Sequence, residues 1–264
     1  MTAKERAPLS SFVALSLAGH VAGLGALAAA PRLWPWCVAA LAADHVALNA
    51  AGLLPRGRLL GPNLVRLPRE EAARGRVALT FDDGPDPEVT PRVLDLLDAR
   101  GAKGTFFVIG ERAARRPDLV REIAARGHAL GNHTWSHPVG FYFLAPRRIA
   151  REIDDVQRLV AELCGAAPRH FRAPAGIRSA LLEPLLARRG MTLATWTRRG
   201  FDAACGDPRT VARRLLRGLA AGDLLLLHDG APRRAPDGTP VSLAVLPRLL
   251  DEIERRGLSA APLA

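Results

Sequence analysis

Val77-Ala78-Leu79-Thr80-Phe81-Asp82-Asp83-Gly84-Pro85-Asp86-Pro87 is five residues of apolar, β-prone character that stop at two adjacent carboxylates, after which Gly84-Pro85 forbids the strand to continue. A buried parallel strand that delivers acids at its C-terminal end is how α/β enzymes build active sites. Consecutive residues at a strand end point to different sides, so two neighbouring Asp can hold two tasks. One can bind a cation while the other stays free to take a proton. The same Asp-Gly and Gly-Pro pairs also make ordinary surface turns, and this stretch alone does not separate the two readings.

Outward from it, strand-like and helical runs alternate. Residues 77–81, 104–109, 129–132, 170–172, 192–196 and 224–228 read as strands, and 91–100, 112–126, 146–164, 179–189, 208–221 and 243–256 as helices. Strand–helix alternation at this spacing calls for parallel strands with crossover helices, either a barrel or a doubly wound sheet. Polar chemistry at nearly every strand end favours the barrel. Residues 55–75, containing Pro, Gly and Arg, read as a linker, so the division is 1–54, 55–75 and 76–264.

Residues 12–30 and 33–54 are two apolar stretches, each about long enough to cross a bilayer as a helix, separated by Pro31-Arg32 and followed by Trp34 and Trp36 where interfacial aromatics are expected. They read as a membrane hairpin. A cleaved signal peptide and a pair of core helices are the competing readings. Lys4 and Arg6 precede the hairpin and Arg56, Arg58 and Arg66 follow it, with only Arg32 in the turn. The positive-inside rule then favours the cytoplasmic face of a bacterial inner membrane for the remainder of the chain, an outward-facing domain being the alternative. His20, Asp44 and His45 fall at about the same depth, and ionisable groups inside hydrocarbon are costly unless paired. His20 is therefore expected to face Asp44 or His45, with Asn49 one turn beyond.

The formal charge of +11 is nearly all Arg, since Lys occurs only at Lys4 and Lys103. No basic run is interleaved with aromatics, so no nucleic-acid partner is expected. Cys37, Cys164 and Cys205 show neither CxxC spacing nor an even count, which argues against a disulfide framework or a cysteine metal site.

His133-Thr134-Trp135-Ser136-His137 follows the third strand. On a helical turn, histidines four apart share a face and reach one cation. With Asp83 they make a two-His, one-carboxylate set that leaves coordination positions open. Arg172-Ala173-Pro174-Ala175-Gly176 and Leu226-Leu227-His228-Asp229 end two further strands. Taken singly, a structural ion pair for Arg172 and a capped strand end for His228 are the simpler readings.

In this order the blocks resemble the polysaccharide deacetylase family, the NodB-homology domain of carbohydrate esterase family four. The resemblance covers Arg76 to the C-terminus and is strong at Thr80–Pro85, His133–His137 and Leu226–His228. At Arg172–Gly176, Ala173 and Ala175 replace a Pro and a Tyr of the family's Arg-Pro-Pro-Tyr-Gly. At Trp196–Ala203, Asp202 keeps the second acid of the family's Asp-x-x-Asp-Trp, Arg199 stands at the first, and Ala203 replaces the Trp. The resemblance implies a distorted (β/α) barrel with fewer than eight regular strands and a divalent ion, zinc in preference, on Asp83, His133 and His137. It further implies Asp82 as general base held ionised by Arg172, His228 as general acid, and Ala175 N–H as an oxyanion donor. Leu226 would line the acyl pocket, and Pro174 is a further substrate-binding residue. Asp202 would act in this charge relay, with Arg172 as one conceivable partner. The reaction implied is N-deacetylation of an amino sugar, and the hairpin points to a lipid-linked or membrane-proximal glycan. An outward-facing peptidoglycan- or chitin-type deacetylase and a non-catalytic glycan-binding barrel are the alternatives.

Overall fold

The computed structural model describes residues 9–230 and 232–263; Lys4 and Arg6 lie outside them. Two helices come first, α1 (Ser11–Ala29) and α2 (Trp34–Gly52), joined by a 3-10 turn at Pro31–Leu33. Ser10 caps α1 by accepting from the Val13 N–H, and Pro31 starts the turn because it has no N–H to satisfy. The helices run antiparallel, with Ser16 against Asp44 and Cys37 against Gly23. Their outer faces carry Leu15, Leu17, Val21, Leu24, Trp36 and Val46 in the open. Helix α1 is long and apolar enough to cross a membrane or to serve as a signal sequence.

A short α3 (Arg69–Ala73) leads into β1 (Arg76–Asp82). Then follow α4 (Val89–Asp98), β2 (Gly104–Val108), α5 (Gly110–Arg115), α6 (Pro117–Ala125), β3 (Ala129–Asn132), α7 (Pro146–Cys164), β4 (His170–Phe171), α8 (Leu182–Ala187) and β5 (Thr192–Leu193). The chain ends with β6 (Arg198–Arg199), α9 (Pro208–Leu216), β7 (Leu224–His228), α10 (Val241–Arg255) and β8 (Ser259–Ala260). The sheet is parallel throughout, in the order β5-β4-β3-β2-β1-β7-β6, with β8 beside β1. It curls into a half-barrel rather than a closed eight-stranded one.

Alternation along β1 and β7 makes the two sides of the sheet. Val77, Leu79, Phe81, Leu225 and Leu227 face the helices, where they join Leu94, Val156, Leu215 and Leu246 in the main core. Ala78 and Leu224 face inward, and with Phe107, Ala194, Leu67 and Leu263 they fill the floor of the half-barrel.

Residues 55–75, read from composition as a linker, are held against the barrel. Leu64 pairs with Ala194, and the Leu67 N–H donates to the Gly222 carbonyl. The stretch thereby crosses the gap between β5 and β6, supplying hydrogen bonds that the open seam would otherwise lack. The single helix expected over 112–126 is two, because Pro117 has no N–H and holds Arg116 at φ −133°, ψ 62°. Strands β6 and β8, two residues each, carry no periodicity and were not expected.

Candidate active site

The interior of the half-barrel is stacked in levels set by the register of β1 and β7. Thr80 lies opposite Leu226 and Asp82 opposite His228, above the Ala78–Leu224 floor. Arg172, at the end of β4, reaches into this stack and is wholly buried. Its Nη1 donates to Asp82 Oδ1 at 2.6 Å and to Thr80 Oγ1 at 2.9 Å. Its Nε and Nη2 donate to the carbonyls of Ala194 and Thr195, and its guanidinium lies 4.0 Å from the centre of the Phe107 ring. A fully buried cation is tolerated because the fork is satisfied on all sides, and removing one partner of such a pair costs about 3–5 kcal/mol. Thr80 belongs to this arrangement although only its strand character was read from sequence. Its signal was its place in the same block as Asp82.

Asp83 leaves the strand with φ 71°, which turns its carboxylate away from that of Asp82. The close approach of the next residue explains Gly84, where a Cβ would run into the Asp229 carboxylate. His133 and His137 do come together, but not by the helical turn their spacing suggested. The segment bends instead, with Thr134 at φ 69° and His137 at φ 47°. Asn132 Oδ1 accepts from the Thr134 N–H, and Thr134 Oγ1 from the His137 N–H. The buried Glu152 carboxylate fastens the bend by accepting from the Ser136 N–H and hydroxyl. His133 Nδ1 donates to the Arg172 carbonyl at 2.8 Å, which leaves Nε2 as the free nitrogen.

His133 Nε2 lies 3.3 Å and His137 Nε2 3.4 Å from Asp83 Oδ1, itself a buried atom without a hydrogen-bond partner among the described residues. Burial works against the charge on Asp83, yet the neighbouring His133, with His228 and His137 beyond, holds its carboxyl well below the usual range. Burial and the neighbouring His133 both push His137 down. Two imidazole nitrogens and an orphaned carboxylate oxygen converging on one point fit a divalent cation.

On the other side of Asp82 stands His228. Asp202 accepts from its Nδ1 at 2.9 Å and from its backbone N–H at 2.8 Å. Burial favours the neutral ring, but the hydrogen bond and charge of Asp202, with Asp82 and Asp83 further off, push His228 up to about 9. Asp202 is therefore not a partner of Arg172, the pairing that sequence spacing left open. Phe201 takes φ 64°, and the turn carries Asp202 to β7 instead. Asp229, next to His228, is buried with Thr90 donating to it; burial, and after it the charges of Asp83 and Asp82, raise it to about 7.

Pro174 and Gly176 are buried, and Ala175 between them is exposed at φ 56°. That strained conformation is reached with the smallest side chain that is not glycine. Leu226 is buried one residue pair below His228. Helix α2 is fastened to the loops that follow β3 and β4: the Gly52 carbonyl accepts from the Arg178 N–H at 3.2 Å, and Asn49 accepts from the Tyr142 hydroxyl.

The polysaccharide deacetylase family profile matches residues 69–194. A chitooligosaccharide deacetylase of a Bradyrhizobium strain is 36% identical over 194 residues, covering 71% of this chain and 88% of that protein. The chain belongs to the polysaccharide deacetylase family. It is a carbon–nitrogen hydrolase of the deacetylase class. A peptidoglycan-N-acetylglucosamine deacetylase of Bacillus cereus is 34% identical over 183 residues, covering 69% of this chain and 83% of that one. Among solved structures, the Bc1960 peptidoglycan N-acetylglucosamine deacetylase superposes with a TM-score of 0.68 at 29% identity, covering 76% of this chain and 90% of that one. The deacetylase half-barrel thus carries an extra pair of helices, α1 and α2, beyond the stretch that the family profile matches.

Proposed function

We propose that this polysaccharide deacetylase removes the N-acetyl group of an amino sugar in a lipid-linked or membrane-proximal glycan, and that α1 and α2 are its membrane hairpin. The observation that carries the chemistry is the pair of buried units flanking one cation-binding point. Asp82 with Arg172 lies on one side, and His228 with Asp202 on the other.

Asp83, His133 and His137 would hold a divalent ion, zinc by the donor set. When bound, it supplies a Lewis acid for the acyl carbonyl and acidifies water. Asp82 takes the proton of the attacking water, and Arg172 holds its carboxylate in place. The Ala175 N–H donates to the oxygen on which negative charge develops. His228 Nε2 gives its proton to the departing amine, and Asp202 at Nδ1 fixes which nitrogen faces the substrate. Leu226 and Pro174 would form the apolar wall against which the acyl methyl sits.

The hairpin is supported by the length and exposed apolar side chains of α1 and by the Trp34–Trp36 pair at its turn. Chain charges on either side favour the cytoplasmic face. The test is acetate release from N-acetylglucosamine oligomers and from polyprenyl-linked N-acetylglucosamine by the full chain with zinc added. Asp82→Asn should keep its zinc and lose turnover by roughly two to four orders of magnitude, whereas Asp83→Asn should lose the zinc itself. Equal metal loss in both variants would overturn the division of roles. Sugar binding with no acetate from either substrate would make the chain a glycan-binding barrel.

A further inference from the structure

Arg199 stands where the family pattern has an acid, and its surroundings point to what it is for. The side chain is half-buried, with its guanidinium 5.0 Å from the centre of the Trp196 ring and 4.7 Å from that of Phe201. Its Nε is buried without a hydrogen-bond partner, and among the described residues no carboxylate pairs with it. Two ring faces attract a guanidinium through their quadrupoles, which orients the charge without neutralising it. Arg214 adds a second cation 5.5 Å from the Phe201 ring.

The same side chain lines a groove of about 480 Å³. Trp196, Arg199 and Phe201 form one wall, and Leu54, Pro55 and Arg56, the residues that follow α2, form the other. The groove adjoins the reaction site. A Cβ on Gly176, whose neighbour Ala175 is the proposed oxyanion donor, would strike both Trp196 and Pro55. Arg199 itself is paired in register with Leu226 of the proposed acyl pocket. One end of the groove is therefore at the proposed sugar site and the other at the foot of the apolar hairpin. Its lining combines stacked, unneutralised arginine with exposed Leu54 and Phe201. An oligosaccharide with no charge would leave Arg199 uncompensated. A phosphate carrying an apolar chain would satisfy both kinds of surface.

We propose that the groove between the end of α2 and Arg199–Phe201 is a subsite for the phosphate and first carbons of a lipid carrier attached to the sugar. This rests on the lipid-linked reading above and names the residues that select such a substrate. Arg199 and Arg56 take the phosphate oxygens, and Leu54, Pro55 and Phe201 flank the first isoprenoid carbons.

The test uses the full chain in phosphatidylcholine nanodiscs, with empty nanodiscs as reference, and farnesyl phosphate, farnesol and inorganic phosphate as probes. Farnesyl phosphate should bind more tightly than either of the others. Arg199→Ala should weaken it by about tenfold or more, the range expected for a lost charge-assisted hydrogen bond. Arg199→Lys, which keeps the charge and loses the planar fork, should fall between. Equal binding of farnesyl phosphate to wild type and to both Arg199→Ala and Arg56→Ala overturns the subsite, as does farnesol binding as well as its phosphate. Inorganic phosphate binding as tightly as farnesyl phosphate also overturns it, assigning the groove to a free anion. Acetate release is followed in parallel. Turnover of N-acetylglucosamine oligomers with no effect of Arg199→Ala on farnesyl phosphate binding removes the subsite and leaves the deacetylase reading standing. Arginine-dependent binding with no acetate from any N-acetylated sugar does the reverse.

Discussion

The proposed role of His228 as proton donor requires its ring to hold a proton near neutral pH, and Asp202 is the residue placed to hold it there. The ring is raised from about 6.5 to about 9. A raised pKa favours folding most below about 6.5, and that contribution disappears as the pH climbs through 9. The same window applies to chemistry: an acid that loses its proton near 9 sets an alkaline limb there. Asp202→Asn removes the negative charge while keeping the shape, so the His228 pKa must fall. The alkaline limb of kcat/KM should move down by one pH unit or more, with zinc content unchanged. A limb that stays in place would show that another group protonates the amine. That His228, Arg172 and both Asp of the opening stretch lie at strand ends was legible in sequence, whereas the roles proposed for them came from the family resemblance. The partner of Asp202 was not legible, because it depends on a left-handed residue at Phe201 that no sequence pattern marks.

Among the elements, β1 and α7 behave as their patterns dictate. The β1 run alternates between core and interior, and α7 occupies 146–164 as read, with Gly165 at φ 78° closing it. The His133–His137 segment delivers the expected two nitrogens through an unexpected backbone, since Asn132, Thr134 and Glu152 hold a bend where a helical turn was expected. In the hairpin, His20 and His45 meet with ring centres 5.3 Å apart, and His20 Nδ1 lies 3.8 Å from Asp44. The nearer partner of Asp44 is the Ser16 hydroxyl at 2.7 Å, one that depth alone had not named. Asn49, instead of completing this cluster, binds the His45 carbonyl and Tyr142. The register can be tested with His20→Cys and Asp44→Cys combined in a chain without native cysteines. These should cross-link within one molecule under mild oxidation. Failure there, with success for pairs nearer Pro31-Arg32, would mean that the helices are offset.

For the whole molecule, the proposed membrane hairpin raises the question of which surface would meet the bilayer. Val139, Phe143, Leu181 and Phe201 are exposed apolar side chains on loops at the C-terminal ends of the strands, the end that carries the site. Leu53 and Leu54, at the foot of α2, are exposed beside them. A reactive face turned toward the bilayer suits a substrate that stays anchored in it. The proposed sidedness, with both ends of the hairpin in the cytoplasm, requires a C-terminal fluorescent protein to be bright in a bacterial host and a C-terminal alkaline phosphatase to be inactive. An active phosphatase would reverse the sidedness and favour an exported glycan. The sequence by itself determined the parallel α/β architecture, the acids and histidines at the strand ends, and the apolar N-terminal pair. All of these are local, set by periodicity of two or 3.6 residues and by strand-ending dipeptides. Tertiary structure alone decided that the sheet stays open with 64–67 across its seam, that Asp202 serves His228, and that Arg199 lies between two rings beside the end of α2. Each of these joins residues far apart in the chain, and their meeting depends on how the sheet curls and where the loops turn, which no local pattern records.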